Sequence, residues 1–105
     1  MDSIFGSYTL EEVKLMGKNT MLNHIGIEIT YIKNNTIKGK MPVDNRTRQP
    51  KGIMHGGASC VLAESLASLG AFLTLKDKSA TCVGMEINAN HVRPVKEGFV
   101  YGTAK

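Results

Sequence analysis

Between Lys51 and Lys76 the chain carries a single formal charge, Glu64, inside a long run of small and apolar residues. The stretch from Gln49 to Leu75 reads QPKGIMHGGASCVLAESLASLGAFLTL. It opens as a loop with Gln49, Pro50 and Gly52, passes through His55, Gly56 and Gly57, and continues without proline. Alanine and leucine over such a length predict a helix. Apolar side chains at Val61, Leu62, Leu66, Leu69, Phe72 and Leu73 fall on nearly every face, so burial on most sides is expected. A carboxylate buried in such a helix is costly without a partner, and the run supplies none. Glu64 is therefore a candidate for chemistry.

The start of the same run offers the opposite kind of group. Gly56 and Gly57 let a ligand approach the backbone, and the first turn of a helix presents N–H groups that favour negative charge. Gly56 and Glu64 are eight residues apart, about 12 Å along a helix axis. One chain cannot place both on the same reacting carbonyl. Two chains in an antiparallel, two-fold pairing can, each lending its helix start to the other's glutamate. If both groups are catalytic, the spacing predicts a site shared by a homodimer.

With 105 residues the chain makes one small domain. Its net charge of +4 comes from basic residues scattered along the sequence, with no stripe of aromatics between them, so nucleic acid is not expected as a partner. Arg46, Arg48 and Lys51 beside the glycine loop suit either a charged ligand or plain solvation. Cys60 and Cys82 lack metal-like or redox-like spacing and follow no signal peptide, which suits a reducing cytoplasm. A membrane span over 52–75 fits by length, but His55, Ser59, Glu64, Ser65 and Ser68 argue against it.

The remaining elements follow from local pattern. Thr9 and Glu12 have the form of a capping box, predicting a short helix from Leu10 to Met16 that Gly17 and Asn19 end. Residues 20–24 read as a connection. Ile25 to Ile32 alternates as a half-buried strand, Asn34 and Asn35 signal a turn, and Thr36 to Val43 returns as the second strand of a hairpin, with Pro42 at its end. Asp44 to Lys51 is polar and irregular. Lys76 to Ser79 is expected to end the long helix. Thr81 to Val92 alternates as a strand, and Phe99 to Lys105 begins another. A single α+β domain over 1–105 results, and stopping in a strand suggests truncation at its C-terminus. Expressed alone, such a chain is expected to expose a raw sheet edge and aggregate.

The string MPVDNRTRQPKGIMHGGASCVLAES, followed by EINANHVRP, resembles the hotdog-fold thioesterases of the PaaI-like group, and within it the bacterial aryl-CoA thioesterases. The likeness covers nearly the whole chain. It implies an antiparallel sheet wrapped around a central helix, dimers pairing into tetramers, and an aromatic acyl-CoA substrate without a cofactor. It also implies roles. Glu64 is the nucleophile or general base, the Gly56 N–H forms the oxyanion hole, and His55 and Gln49 orient the thioester. Ser68, one turn beyond Glu64, holds the attacking water or the carboxylate. His91 lines the acyl pocket, with Gly57 and Met54 also on the substrate side. Two further strands are expected beyond Lys105.

Each of these residues has a plainer alternative. Glu64 as a satisfied buried acid, His55 bonding its own turn, Gln49 as an ordinary loop residue, and His91 bonding strand ends with Asn88 and Asn90 are the competing readings. Ser68, like Ala63, Ala67 and Ala71, would also suit close helix approach. Cys60 lies one turn before Glu64, but no histidine in the helix activates it, so a packed thiol is expected. His55, His91 and Glu64 have no ligand spacing, and no metal is expected. Two other activities stand beside hydrolysis: dehydration of hydroxyacyl thioesters, and acyl-CoA binding without turnover. The first needs a base at the acyl α-carbon, commonly a histidine–acid pair, which a mid-helix acid after HGG fits less well.

Overall fold

The Thr9 hydroxyl accepts the Glu12 N–H and the Glu12 carboxylate accepts the Thr9 N–H, both at 3.1 Å, completing the expected capping box. The computed structural model, which describes residues 8–33, 35–75 and 94–105, places helix α1 at Leu10–Leu15 behind this cap. Val13 is the buried residue of α1 and packs it toward the first strand. Asn19, with φ 61°, turns the chain, and here the structure departs from the sequence reading. Residues expected to be a connection form a one-turn helix, α2, at Met21–His24. The Thr20 side chain caps it by accepting the Leu22 N–H at 3.2 Å. One turn is too short to leave a periodic signal.

Strand β1 spans Glu28–Lys33 and β2 spans Thr36–Pro42, paired antiparallel. β1 begins later than the alternation suggested because Ile25 and Gly26 still close the α2 turn through bonds to Met21 and Asn23. Ile25 and Ile27 are nonetheless buried, so the alternation marked the right side chains for the core. Asn35 takes φ 57° in the hairpin turn. β3, Phe99–Ala104, pairs antiparallel with the other edge of β2, giving the order β1-β2-β3.

The long helix α3 runs from Gly56 to Leu73, with Thr74 as its C-cap. It therefore stops before Lys76–Ser79, which lies within residues 76–93, outside those described, along with the expected strand Thr81–Val92. Two glycines fix how α3 meets the sheet. Gly39 and Gly102 are register partners on β2 and β3. A Cβ on Gly102 would lie 2.6 Å from Leu66 Cδ1, and one on Gly39 would lie 3.0 Å from Leu66 Cδ2. The paired glycines thus form a notch that receives Leu66. Leu62, Leu66 and Leu73 join Val13, Ile25, Ile27, Ile29, Ile37 and Met41 in one core. Each such burial contributes roughly 1.5–3 kcal/mol. The helix is long and apolar enough to cross a membrane, yet one stripe of it, with Leu62, Leu66 and Leu73, packs into the core on the sheet.

Burial of α3 on most sides is not what the single chain shows. The described strands cover one stripe of the helix, and Ala63, Glu64, Ala67 and Ala71 remain exposed. Two of the scattered basic residues meet aromatic rings through the sheet. Pairing of the strands puts Lys38 Nζ 4.9 Å from the centre of the Tyr31 ring and Lys40 Nζ 4.7 Å from that of Phe99. Such contacts join residues far apart in sequence.

Candidate active site

The loop before α3 is built from its own hydrogen bonds. Asp44 starts it by accepting from the Arg46 guanidinium at 2.7 Å and from the Arg46 N–H at 2.9 Å. These bonds hold the Asp44 carboxyl below its ordinary pKa and raise that of Arg46. Thr47 follows, 2% exposed and the only buried polar residue among those described. Its hydroxyl donates to the Pro42 carbonyl at 2.7 Å and accepts the Asp44 N–H at 3.2 Å, tying the loop to the end of β2. Nothing in the sequence separated Thr47 from its polar neighbours, since only the fold reveals that it is buried.

From Thr47 to His55 the chain folds back on itself. The His55 N–H donates to the Thr47 carbonyl at 2.7 Å and the Gln49 N–H to the Ile53 carbonyl at 2.8 Å. Gly52, at φ +83°, makes the reversal, a conformation that favours glycine. Arg48 donates to the Lys96 carbonyl at 3.0 Å and the Met54 N–H to the Val95 carbonyl at 2.7 Å, so the hairpin is also anchored to the segment entering β3. The Gln49 side-chain oxygen accepts the Lys51 N–H, so it serves its own turn and leaves the amide NH2 as the group's donor.

His55 ends the hairpin and caps α3. Its Nδ1 accepts the Gly57 N–H at 2.8 Å, and its carbonyl accepts the Ala58 N–H at 3.0 Å. An accepting Nδ1 requires that the neutral ring carry its proton on Nε2, which is then the donor available beyond the turn. The plainer expectation for His55, bonding its own turn, is thus what the geometry contains, and it is compatible with a role for Nε2. A Cβ on Gly57 would lie 3.0 Å from the His55 ring, so glycine there lets the cap close.

Gln49, Met54, His55, Gly56 and Gly57 are therefore gathered at one hairpin–helix junction. Glu64 and Ser68 are not among them. Both lie further along α3, and at about 3.6 residues per turn Gly57, Val61, Glu64 and Ser68 form one stripe. Glu64 is exposed in the single chain, because its side of α3 faces away from the sheet. The expectation of a buried carboxylate is corrected accordingly. Cys60 is half-buried and free. No group of three metal-ligating side chains occurs among the described residues. His91 lies outside the described residues.

A cavity of roughly 340 Å3 opens beside the junction. Met21 and Ile25 line it from α2 and its C-cap, Ala58 and Val61 from α3, and His55 and Arg48 from the hairpin. Nothing in the local pattern signals this wall, because a single helical turn such as α2 leaves no period.

Comparison with known proteins now places the chain. Residues 51–105, just over half of it, match the model of the Thioesterase superfamily. The 1,4-dihydroxy-2-naphthoyl-CoA hydrolase of Escherichia coli K12 is 46% identical over 97 residues, covering 92% of this chain and 71% of that protein. A thioesterase crystal structure from Haemophilus influenzae superposes with a TM-score of 0.86 at 44% identity, covering 92% of this chain and 67% of the other. A mutant thioesterase from Pseudomonas aeruginosa superposes at 0.88 with 41% identity, over 94% and 71% of the two chains. By the extent of these matches, and by a sheet carrying one long helix behind an HGG turn, the chain belongs to the thioesterase superfamily and has its hotdog fold.

Proposed function

We propose that this chain hydrolyses acyl-CoA thioesters, with aromatic acyl groups as its substrate class and 1,4-dihydroxy-2-naphthoyl-CoA as the first candidate. The relative named for that reaction supports the choice of acyl group. The observation that supports the reading is the hairpin–helix junction, where His55 caps α3 and, with Gly57, lines a cavity. The thioester carbonyl oxygen sits at the Gly56 N–H, where developing negative charge is stabilised by the helix start. His55 Nε2 and the Gln49 amide orient the thioester.

The Glu64 carboxylate then acts in one of two ways. As a base it takes a proton from water, and the new C–O bond forms at the carbonyl carbon as its π electrons move to oxygen. As a nucleophile it adds directly, and water later cleaves the acyl-enzyme. In both routes the C–S bond breaks and the sulfur leaves as CoA thiol once protonated. Ser68, one turn on, holds the water or the carboxylate. Because Gly56 and Glu64 are about 12 Å apart along α3, the Glu64 that serves a given junction comes from a second copy. We therefore read the working unit as a cytoplasmic homodimer that pairs into a tetramer, and include His91 in the acyl pocket.

Release of free thiol from a panel of benzoyl-, 1,4-dihydroxy-2-naphthoyl-, straight-chain and 3-hydroxyacyl-CoAs tests this. Thiol release with preference for the aromatic members is the expected result. Loss of water from the hydroxyacyl member without thiol would instead mark a dehydratase, and binding without turnover a carrier.

A further inference from the structure

Met21 is 58% exposed and forms part of the cavity beside the proposed catalytic junction. Ile25, Ala58 and Val61 give the cavity an apolar wall, Arg46, Thr47 and Arg48 line it from the loop, where they are bonded to Asp44, Pro42 and Lys96, and His55 and Gly57 belong both to the cavity and to the helix start. A thioester whose carbonyl is held at that helix start must send one limb into this space. The pantetheine limb carries amides that need polar partners, and the apolar wall of Met21, Ile25, Ala58 and Val61 offers none. The acyl limb suits it, and the volume is of the order found for small-molecule pockets.

The placement of Met21 is also fixed from both ends of α2. Thr20 caps the helix at one end and donates its hydroxyl proton to the Gly17 carbonyl at 2.7 Å. At the other end Gly26 takes φ +83°, and a Cβ there would lie 2.8 Å from both the Arg46 guanidinium and the Pro42 ring. The turn is thus clamped against the catalytic loop, while the Met21 side chain, unbranched and adaptable, stays free at its outer end.

We propose that Met21 determines acyl-group selectivity, as the adaptable outer wall of the acyl subsite formed with Ile25, Ala58 and Val61. The proposal rests on the thioesterase reading above. A ring placed in the cavity is covered by the Met21 thioether. A long straight acyl chain gains less from this cover, because it extends past the wall.

The test compares kcat/KM for benzoyl-CoA and decanoyl-CoA in the full chain, in Met21→Ala and in Met21→Leu. Met21→Ala is expected to lower the benzoyl-to-decanoyl ratio at least ~10-fold, chiefly through the aromatic substrate, since small changes in apolar pocket contact discriminate by about 10–200-fold. Met21→Leu, close in volume, is expected to keep most of the wild-type ratio. Leu15→Ala alters a side chain that is also exposed, at 68%, but lies off the cavity, and is expected to leave both substrates unchanged. A Met21→Ala enzyme that loses both activities in equal proportion, or neither, overturns the proposal. A wild-type chain that releases thiol from no acyl-CoA overturns the thioesterase reading itself, and the selectivity role falls with it.

Discussion

The two halves of the proposed site are built in opposite ways. At the start of α3 each of the groups before and within the first turn is held: Thr47 by Pro42 and Asp44, His55 by Thr47 and Gly57, Arg48 by Lys96. Two turns along, Glu64 stands exposed among alanines, on the side of the helix that the sheet leaves uncovered. The proposed oxyanion half lies within one well-bonded junction of the chain, whereas the proposed acid half lacks the surroundings that would exclude water and sharpen its charge. Pre-organised donors need no further help to stabilise an oxyanion. A carboxylate in open solvent gains little electrostatic leverage until something covers it. In the proposed dimer, that cover is what a second copy contributes.

The largest expected effect is on the open half. Glu64→Gln keeps shape and removes the base, and is expected to lower kcat by about 10²–10⁴-fold. Because the amide matches the carboxylate in size, the unfolding midpoint is expected not to fall, so calorimetry beside the kinetics separates chemistry from folding. Near-normal turnover would move the reaction elsewhere.

Next comes the closed half. Gly56→Pro removes one N–H at the first helical position, where proline is tolerated, and His55 already has the extended backbone that precedes proline. Loss of an oxyanion donor is expected to cost about 10²–10³-fold in kcat. Helix content by circular dichroism is expected to be unchanged, and a variant as active as wild type removes the Gly56 N–H from the mechanism.

A third variant acts on the buried stripe of α3 and leaves both halves alone. Gly102→Ala forces a methyl against Leu66, and overpacking of this kind costs about 1–3 kcal/mol. Denaturant melts are expected to shift by that amount while kcat at low temperature holds. The smallest effect is that of the Asp44–Arg46 pair. Its bonds depress the Asp44 pKa, so its contribution is present above the ordinary carboxylate value and lost as pH falls through the lowered one. The pair is exposed, and Asp44→Asn is expected to remove only a slight acid-side loss of stability.

What the sequence revealed follows the range of the interactions involved. The Thr9–Glu12 cap, the hairpin with its Asn35 turn, and α3 with its HGG start depend on neighbours a few residues apart, and all were legible. The gathering of Gln49, His55 and the glycines followed for the same reason, because one short hairpin makes it. Helix α2 escaped because a single turn has no period, and with it the cavity wall of Met21 and Ile25. Thr47 escaped because its burial depends on β2. The exposure of Glu64 escaped for a further reason. An apolar composition shows that a helix wants covering on many sides, but it does not say which chain does the covering.

The shared site can be tested by co-expressing Gly56→Pro and Glu64→Ala chains and assaying thiol release. In a mixed dimer, one site combines both substitutions and the other joins an intact helix start to an intact glutamate. Random pairing then predicts recovery to about a quarter of the wild-type rate from two nearly inactive parents. A mixture no more active than its parents would contradict the two-chain site.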